Sequence, residues 1–451
     1  MILPLAGLVC CALLTCVSTV RASDLAKDQV PDRTAHAEHF VETLAKGEFD
    51  TAIQSFDTTM KGALPVAKLE DIWKGLERQA GVFQRRLGSR TSKQGGYNIV
   101  FVTCRFERAV LDVKVVFNNS EQIGGLFFLP GKAPSAEAAA KNAPPKGIRE
   151  TDVTVGSDEW LLPGTLTMPA AEGATPCAAV VLVHGSGPCD RDESVGVNKP
   201  FRDLAWGLAD KGIAVLRYDK RTKVHAARLS AVYPFTVQDE VIDDALSAVQ
   251  LLRTTKGIDP ARVFVLGHSL GGMLAPRIGQ ADSTLGGLII MAGATRKLED
   301  AMVEQMHYLL SLDGQLSAGD ESKLAQLHEQ ADKVKQLQTA DSSSRVPILG
   351  APAAYWIDLR NYSPPRTAAQ LTLPLLVLQG GRDYQVTTKE FEQWKDALAG
   401  KPNATFRLYP KLNHLFIAGE GKPSPAEYDQ PGHLDEAVID EIAGWIQARR
   451  P

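Results

Sequence analysis

The sequence predicts an α/β protein in which a mostly parallel sheet is covered by helices on both faces and topped by a helical cap insertion. A small α+β domain precedes it. Three observations carry this. From about residue 148 to 450, short apolar strands alternate with amphipathic helices, as in a parallel sheet buried on both sides. Residues 33–130 instead run helices first and a meander rich in β-branched and aromatic residues second. Roughly 80 residues separate the strand ending near Met291 from the one starting near Pro374, too many for an ordinary crossover.

The composition fits such a chain. Of 451 residues 44% are hydrophobic and 23% charged, enough apolar material for sizeable cores. The formal net charge of −4 supplies no basic field for a nucleic-acid backbone, so no nucleic-acid partner is expected.

The opening run MILPLAGLVCCALLTCVSTVRASD is apolar and uncharged before Arg21. Val20 and Ala22 place small residues where signal peptidase needs them, which predicts a leader over residues 1–22 cleaved before Ser23. The expected location is secreted or periplasmic, with no stable membrane insertion after cleavage. A retained anchor is the alternative, and lipid attachment at Cys16 is a weaker one. Three of the six cysteines leave with this segment; Cys104, Cys177 and Cys189 remain. Cys177 and Cys189 flank a strand whose seven residues span roughly 23 Å, against the ~4.4–6.8 Å that disulfide Cα atoms need, so all three are expected unpaired.

In the small domain (residues 33–130), Phe40, Leu44, Phe49, Ile53 and Phe56 recur near helical spacing, and KLEDIWKGLERQAG continues the helices to about residue 87. The meander begins at YNIVFVTCRF, which puts Cys104 in its first strand. GKAPSAEAAAKNAPPKG, residues 131–147, reads as a linker. The large domain, 148–450, then gives strands LLPGTLTMP, AAVVLVHG, IAVLRYD, RVFVLGHS, GGLIIMAG, PLLVLQG and ATFRLYP with helices between them. Residues 295–370 form the insertion, expected over the carboxyl ends of the strands where such sheets bind ligands.

The chemistry concentrates at those ends. Gly267-His268-Ser269-Leu270-Gly271 lies between a strand and a helix. A tight turn there raises Ser269 at a helix amino terminus, and Gly267 and Gly271 leave room for the backbone to close. A serine needs a base and the base an orienter. Asp383 and His414 each follow a later strand, and the order serine, aspartate, histidine allows convergence although 114 and 31 residues separate them. His433 is the rival base. The loop His184-Gly185-Ser186-Gly187-Pro188 ends an early strand, so the N–H groups of Ser186 and Leu270 are the best oxyanion donors, with His184 holding the loop by hydrogen bonding.

HGSGPCDRD, LRYDKR, GHSLGG, LQGGRDYQV, LNHLF and EYDQPGH together resemble a bacterial secreted α/β-hydrolase of the esterase D type, and the amino-terminal part resembles the DUF3887 domain. The resemblance implies a Ser269, Asp383, His414 triad and carboxylesterase activity on small or medium acyl esters. The family usually follows Asp-Lys-Arg with glycines and a serine, whereas Thr222-Lys223-Val224-His225 stand here. No metal or organic cofactor is required. The partner is a small-molecule ester, and oligomerisation is left open, a dimer included.

Two other classes compete. A serine peptidase, acyltransferase or thioesterase would use the same triad, and Arg191 and Glu193 could hold a peptide terminus or form a solvated face. A catalytically dead binding protein is disfavoured by the complete triad. In the insertion, Met302, Met306, Tyr308, Tyr355 and Trp356 either line a substrate pocket or pack the insertion onto the body, and both readings stand.

Overall fold

The computed structural model describes residues 33–94, 97–118, 120–131, 144–169, 176–232 and 234–449. The leader, its anchor and lipid alternatives, and most of the linker lie outside the described residues. Those described fall into two compact units divided at Pro144.

In the first unit, helices Arg33–Ala45, Phe49–Ala52, Thr58–Ala63 and Val66–Ala80 precede four antiparallel strands, β1 (Phe83–Gln94), β2 (Tyr97–Phe106), β3 (Val110–Phe117) and β4 (Ile123–Pro130), paired in that order. Phe40, Leu44, Leu69 and Trp73 of the helices share one core with Val100, Val102, Cys104 and Phe106 of β2. The helical reading to residue 87 is corrected here. The helix stops at Ala80, Gly81 follows at φ 83°, and FQRRLGSRTSKQ is strand, so Cys104 lies in the second strand. Little in that polar segment marks it as β; ten residue pairs with β2 hold it there.

The second unit holds an eight-stranded sheet. Its strands are β5 (Ile148–Val155), β6 (Leu162–Pro169), β7 (Cys177–Val183), β8 (Ala214–Tyr218), β9 (Ile258–His268), β10 (Gly287–Met291), β11 (Leu375–Gly380) and β12 (Ala404–Tyr409). They stand in the order β12-β11-β10-β9-β7-β8-β6-β5. β6 runs antiparallel to both neighbours, and all other pairs are parallel. Alternation along the strands divides the core into two layers: Val181, Leu216, Val265 and Ile290 face one side, Val180, Val215, Leu266 and Ile289 the other. The sequence reading lacked β5. IRETDVTV is a charged edge strand, apolar at too few positions to stand out.

β8 lies on one side of β7 and β9 on the other. The chain thus reverses direction across the sheet at β7, which opens a crevice at the carboxyl ends of β7 and β9. Helices Leu298–Leu310, Ala318–Gln336, Ala353–Arg360 and Pro364–Gln370 fill the interval between β10 and β11 as a cap insertion. Ser317 and Asp320 form a capping box at the start of the longest. Among the described residues, no helix is long and apolar enough to cross a membrane.

Candidate active site

The turn after β9 is tight because two glycines let it be. A methyl group on Gly267 would meet the Gly271 carbonyl oxygen at 2.1 Å, and one on Gly271 would meet the Val183 oxygen at 2.2 Å. Between them Ser269 takes φ 53° and ψ −113°, a strained conformation for a residue with a side chain. It is half-buried and caps the helix Leu270–Ala281, whose first N–H, on Leu270, has no acceptor within the helix.

Asp383, in the turn after β11, is fully enclosed. Its Oδ1 accepts the N–H groups of Gln385 (2.8 Å) and Val386 (3.0 Å), and its Oδ2 accepts Gln379 Nε2 at 3.3 Å. The same Oδ2 lies 2.6 Å from Nδ1 of His414, whose side chain is also completely buried. With Nδ1 donating to the carboxylate, Nε2 is left with its lone pair free, and it has no hydrogen-bond partner. Asn413 shapes this loop by accepting the N–H groups of Leu415 (3.0 Å) and Ile417 (3.2 Å) and donating to Glu427 (3.0 Å).

His268 ties the loops together. Its Nε2 donates to the His414 carbonyl at 2.9 Å, and the two rings lie 4.7 Å apart. Its Nδ1 faces Glu193 Oε2 at 3.0 Å, an ion pair too bent for an aligned hydrogen bond. Burial opposes charge on His268, yet the Glu193 carboxylate and the His414 carbonyl hold its pKa above the ordinary imidazole value. Burial likewise opposes ionisation of Glu193, whose pKa is nevertheless lowered, chiefly by His268. The other Glu193 oxygen accepts the Gly185 N–H at 2.6 Å. Gly185 therefore sits beside the elbow: a methyl group on it would lie 3.2 Å from Ser269 Cβ and 3.7 Å from its Oγ.

Ser269, Asp383, His414, Gly185, Gly267, Gly271 and Leu270 thus gather at the crevice, with Ser186 next along the β7 loop. Other expectations need correction. His184 does not hold the loop by hydrogen bonding: its ring packs against Phe201 (5.2 Å) and Tyr218 (5.3 Å), its Nε2 is unpartnered, and burial lowers its pKa. His433 is 81% exposed and pairs with Asp203 at 3.2 Å, which removes it as a base. Glu193 is neither a solvated face nor a peptide clamp, because both oxygens are engaged. Arg191 is likewise engaged, pairing with Asp219 at 2.9 Å.

The insertion residues divide. Met302, Tyr355 and Trp356 are buried in the core, so they pack rather than line a pocket; the Tyr355 hydroxyl donates to Glu240 (2.9 Å) and Trp356 Nε1 to the Ile348 carbonyl (2.6 Å). Met306 packs half-buried on the same core. Tyr308 lines a cavity of about 540 Å³ with Glu304, His307, Arg382 and Tyr384, and it stacks on Tyr384 at 5.2 Å. That cavity borders the Asp383 turn, but Ser269 and His414 do not line it.

Glu193, His268, Gln379 and Asn413 were missed as functional supports. Only proximity to HGSG and GHSLG hinted at the first two. Cys104, Cys177 and Cys189 are free thiols, and burial pushes those of Cys104 and Cys189 up to about 12, far from reactive. Among the described residues, no group of three His, Cys, Asp or Glu is arranged to hold a metal ion.

A family model described as Serine aminopeptidase, S33 matches residues 174–420, and one described as Protein of unknown function (DUF3887) matches residues 37–126. Esterase EstD of Thermotoga maritima is 41% identical over 407 residues, spanning 90% of this chain and 93% of its own. Similar solved structures include Est1E from Butyrivibrio proteoclasticus (15% identity, 66% of this chain and 98% of that one, TM-score 0.42). Another is the Pyrococcus horikoshii acylaminoacyl peptidase (12% identity, 79% of this chain and 56% of that one, TM-score 0.46). The chain therefore belongs to the serine aminopeptidase S33 family of α/β-hydrolases, as an EstD-type member that carries an amino-terminal DUF3887 domain.

Proposed function

We propose that this serine hydrolase cleaves small to medium acyl esters through Ser269 as nucleophile, His414 as base and Asp383 as orienter. The 41% identity to an esterase over nearly the whole chain supports ester cleavage. One observation carries the assignment of roles: the enclosed Asp383–His414 pair at 2.6 Å leaves a dry, unpartnered Nε2 in the loop that His268, the residue before Ser269, holds.

The reaction follows from these parts. Ser269 Oγ attacks the ester carbonyl as His414 Nε2 takes its proton, and Asp383 stabilises the resulting imidazolium. The carbonyl oxygen becomes an oxyanion held by the N–H groups of Ser186 and Leu270. The alcohol leaves with the proton from His414. Water, activated by the same imidazole, then attacks the acyl-enzyme, and release of the acid restores Ser269.

The competing reading is peptidase activity, which the description of the matching family model favours. Against it, Arg191 and Glu193 are committed to internal partners. A fluorophosphonate should label Ser269, and among matched ester and amide substrates the ester should turn over faster. Faster amide cleavage would establish the peptidase instead, and an unlabelled, folded protein would remove the serine mechanism. Export to the periplasm or beyond is part of the proposal, supported by the apolar run before Ala22. Amino-terminal sequencing of the exported protein should start at Ser23, and a start at Met1 would refute cleavage.

A further inference from the structure

The peptide between Gly185 and Ser186 is held at its oxygen by a buried ammonium. The Gly185 carbonyl accepts a hydrogen bond from Lys220 Nζ at 2.9 Å. That carbonyl and the Ser186 N–H belong to one planar peptide group, so whatever fixes the oxygen also aims the N–H. Electron density drawn toward the oxygen leaves the N–H more positive, and in a low-dielectric surrounding such coupled bonds strengthen one another.

Stability does not account for this lysine. Its side chain is 3% exposed and pairs with Glu240, itself 7% exposed, at 2.8 Å. A buried pair of this kind is often matched or exceeded in stability by well-packed apolar residues. A neutral donor would also suffice to hold a carbonyl. The arrangement, moreover, extends in both directions. The Lys220 N–H donates to the Cys189 carbonyl at 3.0 Å, at the far end of the same loop. The second Glu240 oxygen accepts the hydroxyl of Tyr355, from the cap insertion, at 2.9 Å.

We propose that Lys220 is a positioning residue for the oxyanion hole, its ammonium setting the plane and the polarisation of the peptide whose Ser186 N–H receives the developing oxyanion. Glu240 balances the charge, and Tyr355 orients Glu240 from the cap. The inference rests on the serine-esterase reading and adds to it a residue that touches no substrate. It also makes the cap a partner of the oxyanion loop through a chain of three contacts.

The test uses the full-length protein, p-nitrophenyl butyrate as substrate and benzeneboronic acid as a tetrahedral adduct of the serine. K220M leaves Glu240 buried without a counter-charge and can fail to fold, so the decisive variant is K220M/E240Q, which removes both charges and keeps an acceptor for Tyr355. Fluorophosphonate titration counts working sites, and thermal melting reports folding. In the double variant kcat per labelled site should fall roughly ten- to a hundredfold, less than complete loss of a donor, with KM within about twofold. Boronate affinity should weaken by the same factor, while inhibition by 1-butanol, which carries no oxyanion, stays unchanged; a merely structural role would not separate the two. A folded double variant with kcat and boronate affinity within about twofold of the parent overturns the proposal. Failure of the underlying reading has a different signature, namely an S269A protein that still hydrolyses the ester.

Discussion

In the amino-terminal unit, Asp112 receives Arg90 and the Thr103 hydroxyl, each at 2.6 Å. Although burial opposes its charge, those bonds hold its pKa below the usual carboxylate range. In the hydrolase unit the polar groups under the crevice are arranged otherwise. His414 is as deeply buried as any core leucine, yet one of its nitrogens is left without a partner. A dry, unsatisfied polar atom costs about 1–3 kcal/mol, which folding alone gives no reason to retain. The idle nitrogen alone does not set His414 apart, since buried His184 Nε2 is unpartnered too. What does is the carboxylate on its other nitrogen, for Asp383 holds His414 Nδ1 at 2.6 Å and leaves Nε2 to take a proton. Asp112, by contrast, is bonded to Arg90 and Thr103 of its own sheet.

The sharpest way to break this contrast is S269A. If the idle nitrogen serves Ser269, kcat for ester hydrolysis should fall by roughly 10⁶ with the melting temperature preserved. Substantial residual turnover would mean that another nucleophile operates. D383N comes next, with a drop of roughly 10⁴ in kcat. Asparagine can still accept the Gln385 and Val386 N–H groups through its oxygen, so the turn should survive. Its NH₂ would then face His414 Nδ1 and force the proton onto Nε2, the wrong tautomer for a base. Loss of folding in D383N, rather than of turnover, would show that the carboxylate serves structure as Asp112 does.

E193Q addresses stability. Glu193 and His268 form a buried pair, and removing one charge should lower the unfolding free energy by up to about 3–5 kcal/mol near neutral pH. The pH dependence has a definite sign. His268 has a raised pKa, so its contribution is full below the ordinary imidazole value and is lost as pH climbs through the raised one. Glu193 has a lowered pKa, so its contribution is present above the ordinary carboxylate value and is lost as pH falls through the lowered one. Urea unfolding between roughly pH 5 and pH 9 should therefore show the gap between parent and variant widest on the acid side of neutrality and closing toward alkaline pH. A gap independent of pH would rule out a charged pair.

The three residues proposed as the triad stand out in the sequence because each sits in a local pattern: a strand, a short turn and then a helix or the last strand's end. Glu193 and His268 do not, since 75 residues separate them and only the adjacency of β7 and β9 makes them neighbours. Lys220 was visible only as part of a family motif, because its partner Glu240 enters from a different helical segment. Polar edge strands hid for a related reason. β1 and β5 owe their conformation to pairing with β2 and β6, and their own residues show little apolar alternation. Tyr355 and Trp356 carried the reverse ambiguity. Aromatic residues in an insertion suit a pocket or a core equally, and the burial that decides between them is a tertiary fact.

The smallest effect on turnover is expected from the small unit. Trp73 is 2% exposed and packs against Phe83, Phe106 and Phe128, at ring separations of 6.3, 5.8 and 6.1 Å. W73A should cost that unit about 3–5 kcal/mol, since the cavity lies where the helix Val66–Ala80 meets the sheet and little can collapse into it. Every group assigned to the reaction lies beyond Pro144, and each of its supports is bonded within the second unit. Calorimetry of the full chain should accordingly show one transition shifted to lower temperature, with kcat for a short ester within about twofold of the parent. If kcat instead fell in step with the melting of the first unit, the small domain would be contributing to the hydrolase site, and the division between a structural and a chemical half of the molecule would have to be abandoned.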